Sequence, residues 1–214
     1  MTECIEKDYV DIRRCGVELH SKIFKKLTLE DRKSCAKHLG VWHHKQVVLE
    51  TDDDMDLFMD YAIYAYRPKL FNMAERYRRL FSYECNAFEL KLLGHMSKAH
   101  YAIYQITHTN NVDKIEAVDV FSKVSYQIVD HHLAKTGYKG LILAGYLIEF
   151  GGFAIQTGGS VIVTREILQS DQVVQIIDQM QDESIAEFLS DPINGAKLAR
   201  SIVGATIKSG PSET

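Results

Sequence analysis

Residues 101–163 constrain the fold most. They alone read as continuous β-structure, and helical sequence flanks them on both sides. Within them, Glu149-Phe150-Gly151-Gly152-Phe153-Ala154 sets Gly-Gly between apolar runs. Adjacent glycines reach the positive φ angles of a tight primed turn at no steric cost, so this reads as a hairpin. A second pair, Gly158-Gly159, is expected to break the chain again before Val161-Ile162-Val163. Upstream, residues 101–107, 115–121 and 126–132 read as strands, with the turn-prone His108-Thr109-Asn110-Asn111 after the first. A loop at 136–140 precedes a strand over 141–148 that runs into the hairpin. Five or six short strands at roughly ten-residue spacing predict a small antiparallel β-barrel or a strongly bent sheet.

The flanks carry the helical period. Residues 8–26 read as a surface helix, and Thr28-Leu29-Glu30-Asp31 opens a second with Thr28 as N-cap; Gly40 ends it. Residues 41–45 read as irregular, and 46–50 as a short strand or extended lead-in. Thr51-Asp52-Asp53-Asp54 suits a helix N-terminus, because carboxylates accept the free N–H groups and complement the helix dipole. The helix that follows, through Tyr66, is apolar nearly all round, hence central, and Arg67-Pro68 stops it. From Asn72, Met73, Tyr77, Leu80 and Phe81 share one face, with Arg76, Arg78 and Arg79 toward the other. A helix over 83–97 stripes Cys85, Phe88, Leu92 and Met96. After Val163, Val173, Ile176, Ile177 and Met180 recur at helical spacing, and Asp191-Pro192 supplies an N-cap with proline at the first helical position.

The fold class expected is α+β. It comprises an N-terminal helical bundle over residues 1–98, the small β-barrel over 99–164, helices over 165–208 packed back on the body, and a flexible tail over 209–214. With 214 residues and 46% hydrophobic side chains the chain has ample core-forming material. The first eight residues lack the apolar stretch of a signal peptide, no apolar run reaches membrane-spanning length, and Cys4, Cys15, Cys35 and Cys85 have no tight spacing. These features predict a cytoplasmic protein with reduced thiols and no membrane partner.

Asp60-Tyr61-Ala62-Ile63-Tyr64, Tyr66-Arg67-Pro68 and Glu75-Arg76-Tyr77 are followed by Ala102-Ile103-Tyr104-Gln105-Ile106, Asp119-Val120-Phe121 and Phe153 with Thr157-Gly158-Gly159. Over about residues 58–163 this pattern resembles a group of uncharacterised bacterial proteins. The resemblance implies a helical segment docked on a small β-barrel. It implies no activity.

Signatures of catalysis are sparse. Asp130-His131-His132 after an apolar strand resembles the ligand motif of two-metal phosphoesterases, and Asp52 and Asp54 after Val47-Val48-Leu49 offer a matching Asp-x-Asp. Imidazole and carboxylate are suitable ligands for such ions. Two features oppose it: no glycine-containing turn follows Asp54, and the strands run without crossover helices. No nucleophile elbow, phosphate loop or dinucleotide fingerprint occurs. No catalytic residue, metal site or cofactor is therefore assigned.

Charge segregation is the more suggestive feature. Arg67, Lys69, Arg76, Arg78 and Arg79 face one acid, Glu75, whereas residues 50–60 hold six acids and no base, and Glu166, Asp171, Asp178, Asp182, Glu183 and Glu187 make the C-terminal helices acidic. A basic face at Arg67, Arg76, Arg78 and Arg79 fits an acidic protein partner or a second copy of the chain. It could also take a nucleic-acid backbone, although the net charge of −4 works against that. The function expected is a non-enzymatic interaction or regulatory protein that self-associates, with nucleic-acid binding and metal-dependent phosphoester chemistry as the alternatives.

Overall fold

The computed structural model describes residues 2–179 and 185–209. Met180, Asp182, Glu183 and the tail beyond Ser209 lie outside them. Helices α1 (Thr2–Lys26) and α2 (Leu29–Leu39) lead to a two-stranded ribbon, β1 (Trp42–His43) and β2 (Gln46–Val47). Then come α3 (Asp52–Asp60), a π-helical turn (Tyr61–Ala65), α4 (Met73–Leu80) and α5 (Ala87–Met96). The strands β3 (His100–Thr109), β4 (Lys114–Asp119) and β5 (Ser125–Val129) follow, then α6 (His131–Thr136), β6 (Ile142–Glu149) and β7 (Ala154–Ile162). Helices α7 (Arg165–Leu168), α8 (Asp171–Gln179), α9 (Ile185–Ser190) and α10 (Pro192–Ser209) complete a mixed α+β fold. Among the described residues no helix is long and apolar enough to cross a membrane.

The five long strands pair in the order β3-β4-β5-β7-β6, and β6 returns to β3, so the ring of pairings closes. Every link is antiparallel except the last one needed, where β5 meets β7 in parallel through Ile128 and Ala154. Because strand side chains alternate, the two faces separate cleanly. Ala102, Tyr104, Ile106, Leu143 and Leu147 fill the inside, where the Tyr104 hydroxyl donates to Gln156 Oε1. Tyr101, Ile103, Ala144, Tyr146 and Ile148 point outward into a core shared with the helices, including Leu19, Ile23, Phe58, Tyr64, Leu93 and Ile202.

Caps set most helix boundaries. Thr28 and Thr51 each form a reciprocal capping box with the aspartate three residues on, and Asn86 does so with Glu89. Gly40 closes α2 in the left-handed conformation at φ 77°. The Asp191 carboxylate accepts from the N–H of Ile193 at the start of α10, as the Asp-Pro pair predicts.

Several expectations need correction. The strand expected over 126–132 stops at Val129, because Asp130 accepts from the N–H groups of His132 and Leu133 and starts α6 there. Gly158-Gly159 does not break the chain: β7 runs through it, and glycine is needed for close approach rather than for a turn. The irregular stretch at 41–45 is a hairpin, turned by His44 and Lys45 at φ 47° and 66°. Two non-glycine residues at positive φ carry no glycine signal in the sequence. The helix expected to start at residue 83 begins at Ala87 behind a 3₁₀ turn. Leu80 and Phe88, read as members of apolar helix faces, are exposed.

Candidate functional site

Of the basic residues, Arg78 and Arg79 sit one turn beyond Glu75 on α4, with N–O distances of 3.0 and 2.6 Å. Arg78, and then Arg79, hold the Glu75 carboxyl below its ordinary range. The Arg79 guanidinium also lies 4.1 Å from the centre of the Phe71 ring. Arg76 turns away, 3.9 Å from Asp31, and donates to Met73 Sδ. Arg67 lines a cavity with Tyr101 and Tyr146. The four arginines thus divide into an exposed pair, one packed against α2, and one turned inward.

The exposed pair has apolar neighbours. Leu70 is 73% exposed, and Phe71, Leu80 and Tyr83 are also open to solvent. Lys69 and Leu70 are consecutive non-glycine residues in the left-handed region, at φ 61° and 73°. Such a conformation costs about 1–2 kcal/mol per residue, and here it projects a leucine into water. Across the sequence, residues 48–55 form the opposite kind of surface: Val48 and Met55 are exposed beside Glu50, Asp52 and Asp53.

The phosphoesterase ligands are not brought together. Asp54 accepts from the N–H groups of Glu50 and Thr51, and Asp52 lies exposed on the first turn of α3. Asp130 caps α6 and stands 3.7 Å from Arg13; His131 stacks on Tyr9 at 4.7 Å, and His132 is exposed. Among the described residues no group of three or more His, Cys, Asp or Glu side chains is placed to hold a metal ion. Free helical N–H groups have taken the carboxylates that the motif needs.

A buried polar layer was missed by sequence reasoning. Where α3 gives way to the π-helical turn, Asp60 is buried and its Oδ2 accepts from Thr157 Oγ1 and, at 2.8 Å, from the Gly159 N–H. Burial pushes its carboxyl up to about 7, against the opposing effect of those two donors. His20 Nδ1 lies 3.8 Å from Asp60 Oδ1, and its Nε2 is 2.6 Å from the Tyr64 hydroxyl. Burial, and then the charge of Arg13, push the His20 imidazole down to about 4. Tyr64 stacks on Tyr146 at 5.1 Å, and Tyr101 meets Tyr146 edge-on at 5.0 Å. Tyr101 and Tyr146 are direct cross-strand partners. Their outward register was available from strand alternation, but Asp60 counted in sequence only as one of the six acids of residues 50–60. π-helical turns often occur at functional sites. Asp60, however, commits its Oδ2 to two donors on β7 and does not line the cavity, which makes it a staple between α3 and β7.

Residues 4–187 match the family described as "Family of unknown function (DUF7986)". The chain belongs to that family. No curated protein and no solved structure matches it. The DUF7986 match spans α1 through α8 and stops before α10, so the cavity at Arg67 draws on residues both inside and beyond the matched region.

Proposed function

We propose that this DUF7986 protein is a non-enzymatic interaction protein that associates with a second copy of itself through the outer face of α4. The observation that carries the reading is Leu70, held exposed by two successive left-handed residues beside Phe71 and Arg79. Arginine and aromatic side chains around an apolar centre are what protein interfaces favour. Charge complementarity supports a second copy as the occupant, because the exposed stretch around Val48, Glu50, Asp52, Asp53 and Met55 is acidic and apolar where the α4 face is basic and apolar. A contact between two unlike surfaces closes as a reciprocal pair or a ring where the rotation allows it, and otherwise extends as a filament. Glu75, held between Arg78 and Arg79, disfavours the nucleic-acid alternative, since a phosphate backbone would have to compete with it.

A charge-exchange experiment tests this. The double variant Arg78→Glu with Arg79→Glu should not associate with itself, nor should Asp52→Lys with Asp53→Lys. An equimolar mixture of the two should recover a complex at about 0.1 M salt. Failure of the mixture, or retention of full self-association by both variants, counts against the α4 face. Duplex DNA or RNA retained by the unaltered protein and released by Arg78→Glu with Arg79→Glu would favour the nucleic-acid reading instead.

A further inference from the structure

Independently of self-association, the structure assigns a binding site for a small monocarboxylate to the cavity between Arg67, the start of β3 and the junction of α9 with α10. The cavity measures about 200 Å³ and is lined by Arg67, Tyr101 and Tyr146, with Lys98 at the loop before β3. Tyr101 and Tyr146 are 8% and 3% exposed, yet neither hydroxyl has a hydrogen-bond partner among the described residues. Arg67 Nε is likewise buried without a partner, and no carboxylate lies within 4.0 Å of the guanidinium among the described residues. Buried donors are satisfied in nearly all folded proteins, and one left unmet is costly. All three side chains line one cavity, and one of them is a cation, so the occupant that fits is an anion.

Local charge and shape select its class. Asp191 acts on Arg67, so negative charge is already present beside the cavity. A single added charge is better accommodated than the two of a phosphate monoester. A planar carboxylate can take two parallel bonds from the guanidinium edge and a further bond from a tyrosine hydroxyl. Pro192 and Ala196 put the first turns of α10 beside the same space, and the positive end of that helix dipole favours an anion there. Ala99 and Leu189 supply apolar wall that suits a short hydrocarbon or aromatic tail, and Ser97, His100 and Ser190 make the remainder polar. The volume lies below the roughly 300 Å³ at which drug-sized sites begin, so the ligand is small.

Titration calorimetry at pH 7 with propionate and benzoate, alongside benzamide and inorganic phosphate, tests this. Benzoate or propionate should saturate the protein in the millimolar range or below, while benzamide does not. Arg67→Gln should weaken carboxylate binding at least tenfold, and Tyr146→Phe by about tenfold, because each removes a bond to the charged group. Tyr146→Phe removes an atom that has no partner in the fold, so its unfolding midpoint should not fall. It therefore remains informative even if Arg67→Gln folds poorly. The assignment is overturned if neither acid binds below about 10 mM, if phosphate binds and the acids do not, or if carboxylate binding survives both substitutions unchanged.

Discussion

The carboxylate of Asp60 accepts a hydrogen bond from the N–H of Gly159 at 2.8 Å, joining residues 99 apart in the chain. This closes the α3–β7 contact, where strand backbone comes so near the helix that a Cβ on Gly159 would lie 3.0 Å from Asp56 O, Asp60 Oδ2 and Leu57 Cα. Two of those atoms are backbone and cannot swing aside. Gly159→Ala should therefore lower unfolding free energy by about 1–3 kcal/mol. Gly151→Ala, in open space but at φ 78°, should cost less. Denaturant unfolding of both variants checks the order.

Asp60 and His20 give opposite pH dependences. With a folded value of about 7, Asp60 keeps its proton where the unfolded chain, near 3.9, has lost it. Its contribution is full below about pH 4 and is lost as pH rises to about 7. His20, at about 4 when folded and near 6.5 when unfolded, contributes stability that increases with pH across that window. Relative to the unaltered protein, Asp60→Asn should gain stability between about pH 4 and pH 7, by at most about 1.4 kcal/mol per pH unit. His20→Gln should lose it between about pH 4 and 6.5. Urea unfolding across that range reads both signs, and parallel curves for all three proteins would refute the assignment.

Asp130 separates a capping role from a ligand role. It accepts from His132 N and Leu133 N at 2.9 and 2.8 Å, so Asp130→Ala should cost about 0.5–2 kcal/mol through loss of the cap. Asp130→Asn, which keeps an acceptor oxygen, should recover much of that. Added Mn²⁺ should shift the unfolding midpoint of neither variant differently from the unaltered protein, and a Mn²⁺ stabilisation that requires Asp130 would revive the metal reading.

Leu70 offers a substitution with two opposite effects. Glycine at φ 73° removes a left-handed strain, so Leu70→Gly should stabilise the isolated protein by up to about 1 kcal/mol. It also deletes the exposed side chain at the proposed contact and should weaken self-association. A more stable but less associated protein is the outcome expected, read from denaturant unfolding and sedimentation together.

How much of this was legible in sequence depends on the kind of signal. The caps at Thr28 and Asp191, the helix start at Thr51-Asp52-Asp53-Asp54, the Gly-Gly hairpin and the strand alternation around Tyr104 rest on local rules, and the structure places them where those rules do. The turn at His44-Lys45 and the left-handed pair Lys69-Leu70 were not legible, because ordinary side chains occupy positions that local preference reserves for glycine. Asp60 was not distinguished from the other acids of residues 50–60, since only its partners on β7, about a hundred residues on, make its burial tolerable. The basic residues were legible as a group. Their division was not, because Glu75, Asp31 and the cavity each claim different members.

Sedimentation equilibrium of the unaltered chain at about 0.1 M and about 0.5 M salt is the most direct test of self-association through the α4 face. The expected result is a weight-average mass above the 24.4 kDa of one chain at low salt, rising with concentration, reduced at high salt, and lowered further by Leu70→Asp. A single species of 24.4 kDa at every concentration and both salt levels would contradict it.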